Sequence, residues 1–286
     1  VYWKTEPPYS LPTSCSPLLY CKKTVMNQTQ HTCQLIISAR SHTGLVRPEN
    51  EDMILADGRL LRDESYEISR PLDTSDKALF AIADGMGGHN AGEVASEEAL
   101  RSLSAFFKEL PSGLSPAELT ASFNRWLKQT HLHLLEMGAN NPDQYGMGTT
   151  LVGLCLYEGK AFWFNCGDSR IYHMHGGKLT QLSTDHSYGQ MTGIKNHLSH
   201  AITNCLGANA PHVFLDMNPI PLFTDNLQEE TFMLCSDGLS DTADHQTLTR
   251  FLAAESTAWS FVRLALNAGG PDNTSVCIVR IKQSLS

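Results

Sequence analysis

The sequence predicts an α+β fold whose sheets are mostly antiparallel. Three observations carry that prediction. Apolar strand-like runs come first, two helical patterns follow, then a series of strands, then helices again. Turn pairs at Glu158-Gly159 and Gly176-Gly177 separate adjacent strand patterns, as hairpins require. Ser115 with Glu118 three residues on forms a capping box ahead of an apolar helical face.

Taken in order, QLIISAR (Gln34 to Arg40) and DMILAD (Asp52 to Asp57) read as the first two strands. The polar segment from Gly58 to Lys77 reads as a long connection that could hold its own hairpin. The uncharged run Ala78 to Ala83 is the pattern of a buried third strand, with Asp84 at its end and glycines at 85, 87 and 88. Helical spacing then covers Ala91 to Glu109 and Pro116 to Met137. TTLVGLCLYEG with KAFWFNCG, and the two halves of RIYHMHGGKLTQL, read as hairpins. After a loop-rich region come strand patterns in HVFLDMNPI and ETFMLCSDG, helical ones in Thr242 to Ala254 and Trp259 to Asn267, and a closing strand in NTSVCIVRI. No internal repeat is visible, and one domain from Gln34 to the end is expected, preceded by an irregular arm over 1–33.

The formal net charge of −9 argues against a nucleic-acid partner, which asks for a basic face. No apolar run approaches the roughly 18 residues needed to cross a bilayer, so no membrane insertion is expected. None of the eight cysteines forms a Cys-x-x-Cys pair, and four sit in strand-like apolar runs, which favours a reducing, cytoplasmic setting. Cys15, Cys21 and Cys33 with His31 offer zinc-type ligands at irregular spacing; ordinary residues of the arm are the favoured reading. The Pro- and Ser-rich leader lacks the basic start and apolar centre of a signal peptide. Since the chain begins with Val1, a fragment or processed product is expected.

Acidic residues recur beside strand patterns with turn residues next to them: Glu51-Asp52, Asp84-Gly85, Asp237-Gly238, Asp272-Asn273, and Asp168 within Gly-Asp-Ser-Arg. Each alone is read most simply as a turn. Together they would repel one another unless cations neutralise them, and oxygen-only ligands favour magnesium or manganese over zinc.

These residues carry a family resemblance. RPENED (Arg47 to Asp52), DGMGGHNAGEVAS (Asp84 to Ser96), GMGTT (Gly146 to Thr150), GDSRIY (Gly167 to Tyr172), LSTDHS (Leu182 to Ser187), LCSDGLSD (Leu234 to Asp241) and GGPDNTSV (Gly269 to Val276) follow one another. In kind and order they resemble the metal-dependent protein phosphatases (PPM family, type 2C serine/threonine phosphatases), and look closest to the bacterial branch.

The resemblance implies a four-layer α-β-β-α sandwich, two antiparallel sheets flanked by helices, over 34–286. It implies two manganese or magnesium ions sharing a bridging water. Asp84 would bridge both ions, with Asp237 and Asp272 on the first and the Gly85 carbonyl on the second. Glu51 and Asp52 would hold metal-bound waters. Asp168, with Asp237 and Asp241, matches a weaker third ion site. Arg47 matches the position that binds the substrate phosphate, a task its planar fork of donors suits. His89 is the candidate acid for the leaving group, although some family members place the histidine where this chain has Met86. A structural histidine in the turn, and a metal-bound water as donor, are the competing readings. The implied activity is hydrolysis of phosphoserine and phosphothreonine in a phosphorylated protein, opposing a bacterial-type serine/threonine kinase, by a monomer. The alternatives are a non-catalytic pseudophosphatase that binds a partner, and a phosphatase dedicated to a regulator such as an anti-sigma-factor antagonist. The segment near 188–205, a mobile flap in many bacterial relatives, is short here.

Overall fold

A computed structural model describes residues 33–283 except 74, 88–90, 195, 197 and 223–228. Residues 1–32 of the expected arm, with Cys15, Cys21 and His31, and the candidate acid His89 therefore lie outside the described residues, whereas Cys33, placed in the arm by the sequence, opens the first strand.

Two sheets form the centre, and every pairing among the described strands is antiparallel. The six-stranded sheet combines β1 (Cys33–His42), β4 (Ser65–Leu72), β9 (Arg170–His175), β10 (Lys178–Gln181), β13 (Glu229–Cys235) and β14 (Thr274–Gln283), in the order β10-β9-β13-β14-β1-β4. The eight-stranded sheet is built on β5 (Lys77–Met86), which pairs with β2 (Asp52–Ala56), β6 (Gly148–Thr149) and β7 (Leu151–Tyr157). It is completed by β3 (Arg59–Leu61), β8 (Lys160–Cys166), β11 (Leu206–Gly207) and β12 (Asp216–Ile220).

The period-two alternation of each strand sorts the apolar side chains into three layers. From β5, Phe80 and Ile82 point into the space between the sheets, where they meet Leu35, Ile37, Leu154, Phe232 and Val279. The alternate residues Leu79, Ala81 and Ala83 point outward, under α1 (Ala91–Glu109) and α2 (Pro116–Asn140). On the far side, Met233, Cys235, Val276 and Ile278 pack beneath α5 (His245–Ala253) and α6 (Ala258–Asn267). Helix, sheet, sheet, helix is the four-layer order expected. The capping box forms as the spacing predicts: the Glu118 amide donates to Ser115 Oγ at 3.3 Å and the Ser115 amide to Glu118 Oε2 at 2.9 Å.

Both predicted hairpins are present. Glu158 and Gly159 have φ of 49° and 74°, and Gly176 and Gly177 have 56° and 77°, the left-handed pair a two-residue hairpin demands. Four local expectations need correction. The connection after Gly58 holds two strands, β3 on β2 and β4 on the edge beside β1, so they belong to different sheets and make no hairpin with each other. The third strand runs on through Met86 because Gly85 and Met86 pair with Thr149 and Gly148, which puts Asp84 inside the strand. Only Asp216–Ile220 of HVFLDMNPI pairs as strand; the Phe214 amide and carbonyl are bonded instead by the Asn204 side chain. The helix expected from Thr242 starts at His245, where Asp244 Oδ1 accepts from the Thr247 amide at 2.7 Å. Two short helices, α3 (Tyr188–Thr192) and α4 (Asp237–Ser240), and a 3₁₀ turn at Pro142–Gln144 complete the chain.

Candidate active site

At one end of the two sheets, acids distant in sequence face each other. The β2–β5 register sets Asp52 directly opposite Asp84. Asp237 opens α4 straight after β13, and Asp272 precedes β14, which pairs with β13. Asp52 is fully buried, Asp84, Asp168, Asp237 and Asp272 keep one edge in solvent, and Arg47 and Asp241 are exposed.

Backbone and hydroxyl contacts fix the acids. The Thr149 hydroxyl and the Thr150 amide both donate to the Asp84 carbonyl at 2.9 Å. The Asp84 amide donates to Thr150 Oγ1 at 3.1 Å, and that hydroxyl shares a 2.8 Å hydrogen bond with Ser169, the neighbour of Asp168. Ser236 Oγ donates to Asp52 Oδ2 at 2.8 Å. Asn273 ties three loops: its Oδ1 accepts from the Glu51 amide at 2.8 Å, and its Nδ2 donates to the carbonyls of Thr43 and Glu49. His186 braces the Asp168 turn, its Nδ1 accepting from the Gly167 amide at 3.1 Å while Nε2 faces Asp216 at 3.0 Å. Thr149, Thr150, Ser236, Asn273 and His186 all lie inside the sequence motifs, yet the motifs alone assign them no role. Their only signal is a hydroxyl, amide or imidazole close to a turn acid.

Glu51 joins the group through a close approach of three backbones. A Cβ on Gly85 would stand 2.1 Å from the Gly92 carbonyl oxygen, and one on Gly92 would stand 2.6 Å from Glu51 Oε1. Glycine at both positions lets α1 start against the acid-bearing strand.

The electrostatics follow from this crowding. Burial pushes the Asp52 carboxyl up to about 7, with Asp237 and Asp272 adding repulsion. Burial, then Asp52, Asp237, Asp168 and Asp272, hold Asp84 well above the usual carboxylate range. Burial and then Asp237 raise Asp168 to about 7; burial, then Asp272 and Asp241, raise Asp237 to about 6. Glu51 is also raised, mainly by burial. Two of the nearby guanidiniums are each held by one acid: Arg47 Nη2 donates to Asp272 Oδ2 at 2.7 Å, and Arg170 grips Asp185 through Nε and Nη2 at 2.6–3.1 Å.

Two buried carboxylate oxygens, Asp52 Oδ1 and Asp168 Oδ1, have no hydrogen-bond partner among the described residues. Unsatisfied buried acceptors are costly, and crowded carboxylates with raised pKa values and free lone pairs fit divalent cations held through oxygen. A cavity of about 490 Å³ opens beside Asp168, lined also by Asp237, Ser240 and Asp241 and by Gly189, Ile194 and His200 of the segment after Ser187. The structure thus brings Glu51, Asp52, Asp84, Asp168, Asp237, Asp241 and Asp272 to one end of the sheets, with Gly85 and Arg47 beside them.

The family profile described as Protein phosphatase 2C matches residues 56–272. The chain belongs to the protein phosphatase 2C family. It is 31% identical over 260 residues to the serine/threonine protein phosphatase PstP of Mycobacterium tuberculosis, covering 87% of this chain and 46% of that protein. The chain thus spans about half the length of that relative. The serine/threonine phosphatase stp of Listeria monocytogenes is 30% identical over 254 residues, with coverage of 84% and 93%. Among solved structures, the PstP catalytic domain in complex with two manganese ions superposes with a TM-score of 0.66 at 32% identity, over 88% of this chain and all of that one. Among the described residues, no helix is long and apolar enough to cross a membrane.

Proposed function

We propose that this chain hydrolyses phosphoserine and phosphothreonine in phosphorylated proteins, using two manganese or magnesium ions held by its acid cluster. The observation that carries the reading is the pair of buried oxygens on Asp52 and Asp168 that lack a hydrogen-bond partner among the described residues, amid carboxyls pushed above their ordinary range. The two manganese ions of the PstP complex support a two-ion count here.

Asp84, the Gly85 carbonyl, Asp237 and Asp272 would hold the two ions, with Glu51 and Asp52 orienting water around them. Asp168 and Asp241 would hold a weaker third. When bound, such ions supply a nucleophilic water at neutral pH and positive charge against the phosphoryl oxygens. The chain's own residues do the positioning. Arg47, on an exposed loop at the rim, turns its planar donors from Asp272 to the phosphoryl oxygens. Thr149, Thr150 and Ser236 hold Asp84 and Asp52 in fixed orientations, so little reorganisation accompanies the reaction. The short segment after Ser187 exposes Met191, Ile194 and Leu198, apolar contacts suited to residues flanking the phosphorylated side chain. The substrate would come from a bacterial-type serine/threonine kinase.

The test is hydrolysis of phosphothreonine and phosphoserine peptides with manganese, magnesium, or excess chelator. Turnover that needs the cation is expected. Turnover that persists in chelator rejects the mechanism, and binding of phosphoprotein without any turnover in manganese points to a pseudophosphatase.

A further inference from the structure

We propose a second metal site, built by His173, His175 and Glu230, that takes a borderline transition cation of the zinc class. It lies at the opposite end of β9 and β13 from the acid cluster. Glu230 and Cys235 are five residues apart along β13, about 17 Å at strand rise, and Asp237 lies beyond Cys235.

The topology makes the site. His173 and His175 are two apart on β9 and so share a face. The β9–β13 register pairs Met174 with Thr231 and His173 with Phe232, which carries Glu230 alongside His175. Glu230 Oε2 lies 2.7 Å from His173 Nε2 and 3.0 Å from His175 Nδ1, and the three ligand atoms all fall within 4.8 Å of one another. Four-coordinate zinc, with bonds of about 2.0–2.1 Å, separates its ligand atoms by about 3.3 Å, so a widening of a few tenths of an ångström admits the ion.

Burial fixes the ligand set. The Glu230 side chain is 0% exposed, and its face is that of Phe232, which belongs to the apolar layer between the sheets. His173 stacks on Phe232 at 4.5 Å and 11°, which holds one nitrogen on Glu230. The other side is open: a cavity of about 330 Å³, lined by both histidines, Trp163, Thr180 and Lys178, leaves room for a water as fourth ligand. Lys178 sets one positive charge at this entrance, which the Glu230 carboxylate offsets. Two imidazoles and a carboxylate suit zinc, whereas the oxygen-only acids at the other end suit manganese or magnesium. The ion would clip the β9–β10 hairpin to β13.

The experiment is zinc counting after equilibrium dialysis in saturating magnesium, on the wild-type chain, His175→Gln and Glu230→Gln. His175 is chosen over His173, whose ring stacks on the core residue Phe232. Any zinc that displaces magnesium at the acid cluster is common to all three proteins and cancels in the difference. The wild type should hold one more zinc per chain, with affinity at least about 100-fold above either variant, since even outer-shell changes cost 10–100-fold. Cobalt in place of zinc should give the intense visible band of a four-coordinate site in the wild type and lose it in both variants. Magnesium-supported turnover should be the same in wild type and His175→Gln. Equal zinc content and identical cobalt spectra would overturn the proposal, leaving a hydrogen-bonded carboxylate–imidazole brace.

Discussion

Arg47 Nη2 lies 2.7 Å from Asp272 Oδ2, so the guanidinium proposed to take the phosphate is tied to a carboxylate proposed to hold a cation. The other Asp272 oxygen accepts from the Asn273 amide at 2.9 Å. A cation on Asp272 would compete with Arg47 for the same oxygen, and its binding would turn the guanidinium toward the substrate.

Arg47→Ala should therefore act on substrate binding. The pair is partly exposed, with side-chain exposures of 51% and 32%, and such pairs contribute about 0–1 kcal/mol to stability. Charge-assisted bonds to phosphate are worth about 1.5–3 kcal/mol, or roughly 10- to 100-fold in KM. Steady-state kinetics on a phosphopeptide, beside urea unfolding, should show raised KM with near-native stability. An unchanged KM would remove Arg47 from the phosphate site.

The raised carboxyls set a pH dependence for the cation-free chain. Asp237, Asp52 and Asp168 titrate at about 6 to 7 in the fold, against 3.8 ordinarily. Between about pH 4 and 7 the folded chain binds more protons than the unfolded one, so stability is highest at the acidic end of that window and falls as pH rises through it. Each pKa unit is about 1.4 kcal/mol, which makes the loss several kcal/mol even after allowing for mutual coupling. Urea unfolding in chelator at pH 5 and pH 7.5 should show the decline, and manganese should reverse it at pH 7.5 with proton release. A flat profile in chelator would mean that the acids are not crowded in solution.

Asp237→Asn separates function from stability by the same physics. It removes one charge from a group repelled by Asp272 and Asp241. In chelator at pH 8 the variant should be more stable than wild type by about 1 kcal/mol or more, while turnover in manganese falls at least about 100-fold. Loss of both stability and turnover would assign Asp237 a structural role.

Much of this arrangement is legible in the chain. The alternation in β5 sorts Phe80 and Ile82 from Leu79 and Ala81, and turn pairs mark both hairpins. The strand β4 is hidden because it is an edge strand: Tyr66, Ile68 and Leu72 keep the period, but Pro71 and the charged and hydroxyl residues between them break the apolar signal. The acids are marked by their neighbours in the motifs, while their convergence depends on strand register, which pairs Asp52 with Asp84 across the β2–β5 ladder. The His173–His175–Glu230 cluster is invisible for that reason, with no local motif to mark Glu230 on its separate strand.

The two glycines where β5 meets the start of α1, Gly85 on the strand and Gly92 on the helix, provide the sharpest contrast between packing and chemistry. On Gly85 a methyl group would meet the Gly92 backbone carbonyl carbon at 2.4 Å and its oxygen at 2.1 Å, atoms that can move only if the helix moves. Gly85→Ala should cost about 1–3 kcal/mol in urea unfolding, the range for overpacking, and more if α1 shifts as a unit. On Gly92 the first atom met is Glu51 Oε1 at 2.6 Å, the end of a flexible side chain, although the Gly85 carbonyl carbon stands at 2.7 Å. Gly92→Ala should therefore turn Glu51 aside and weaken manganese binding, measured by titration calorimetry, with a smaller loss of stability than Gly85→Ala. Equal losses of stability with unchanged manganese affinity would show that Glu51 takes no part in holding the cation's water.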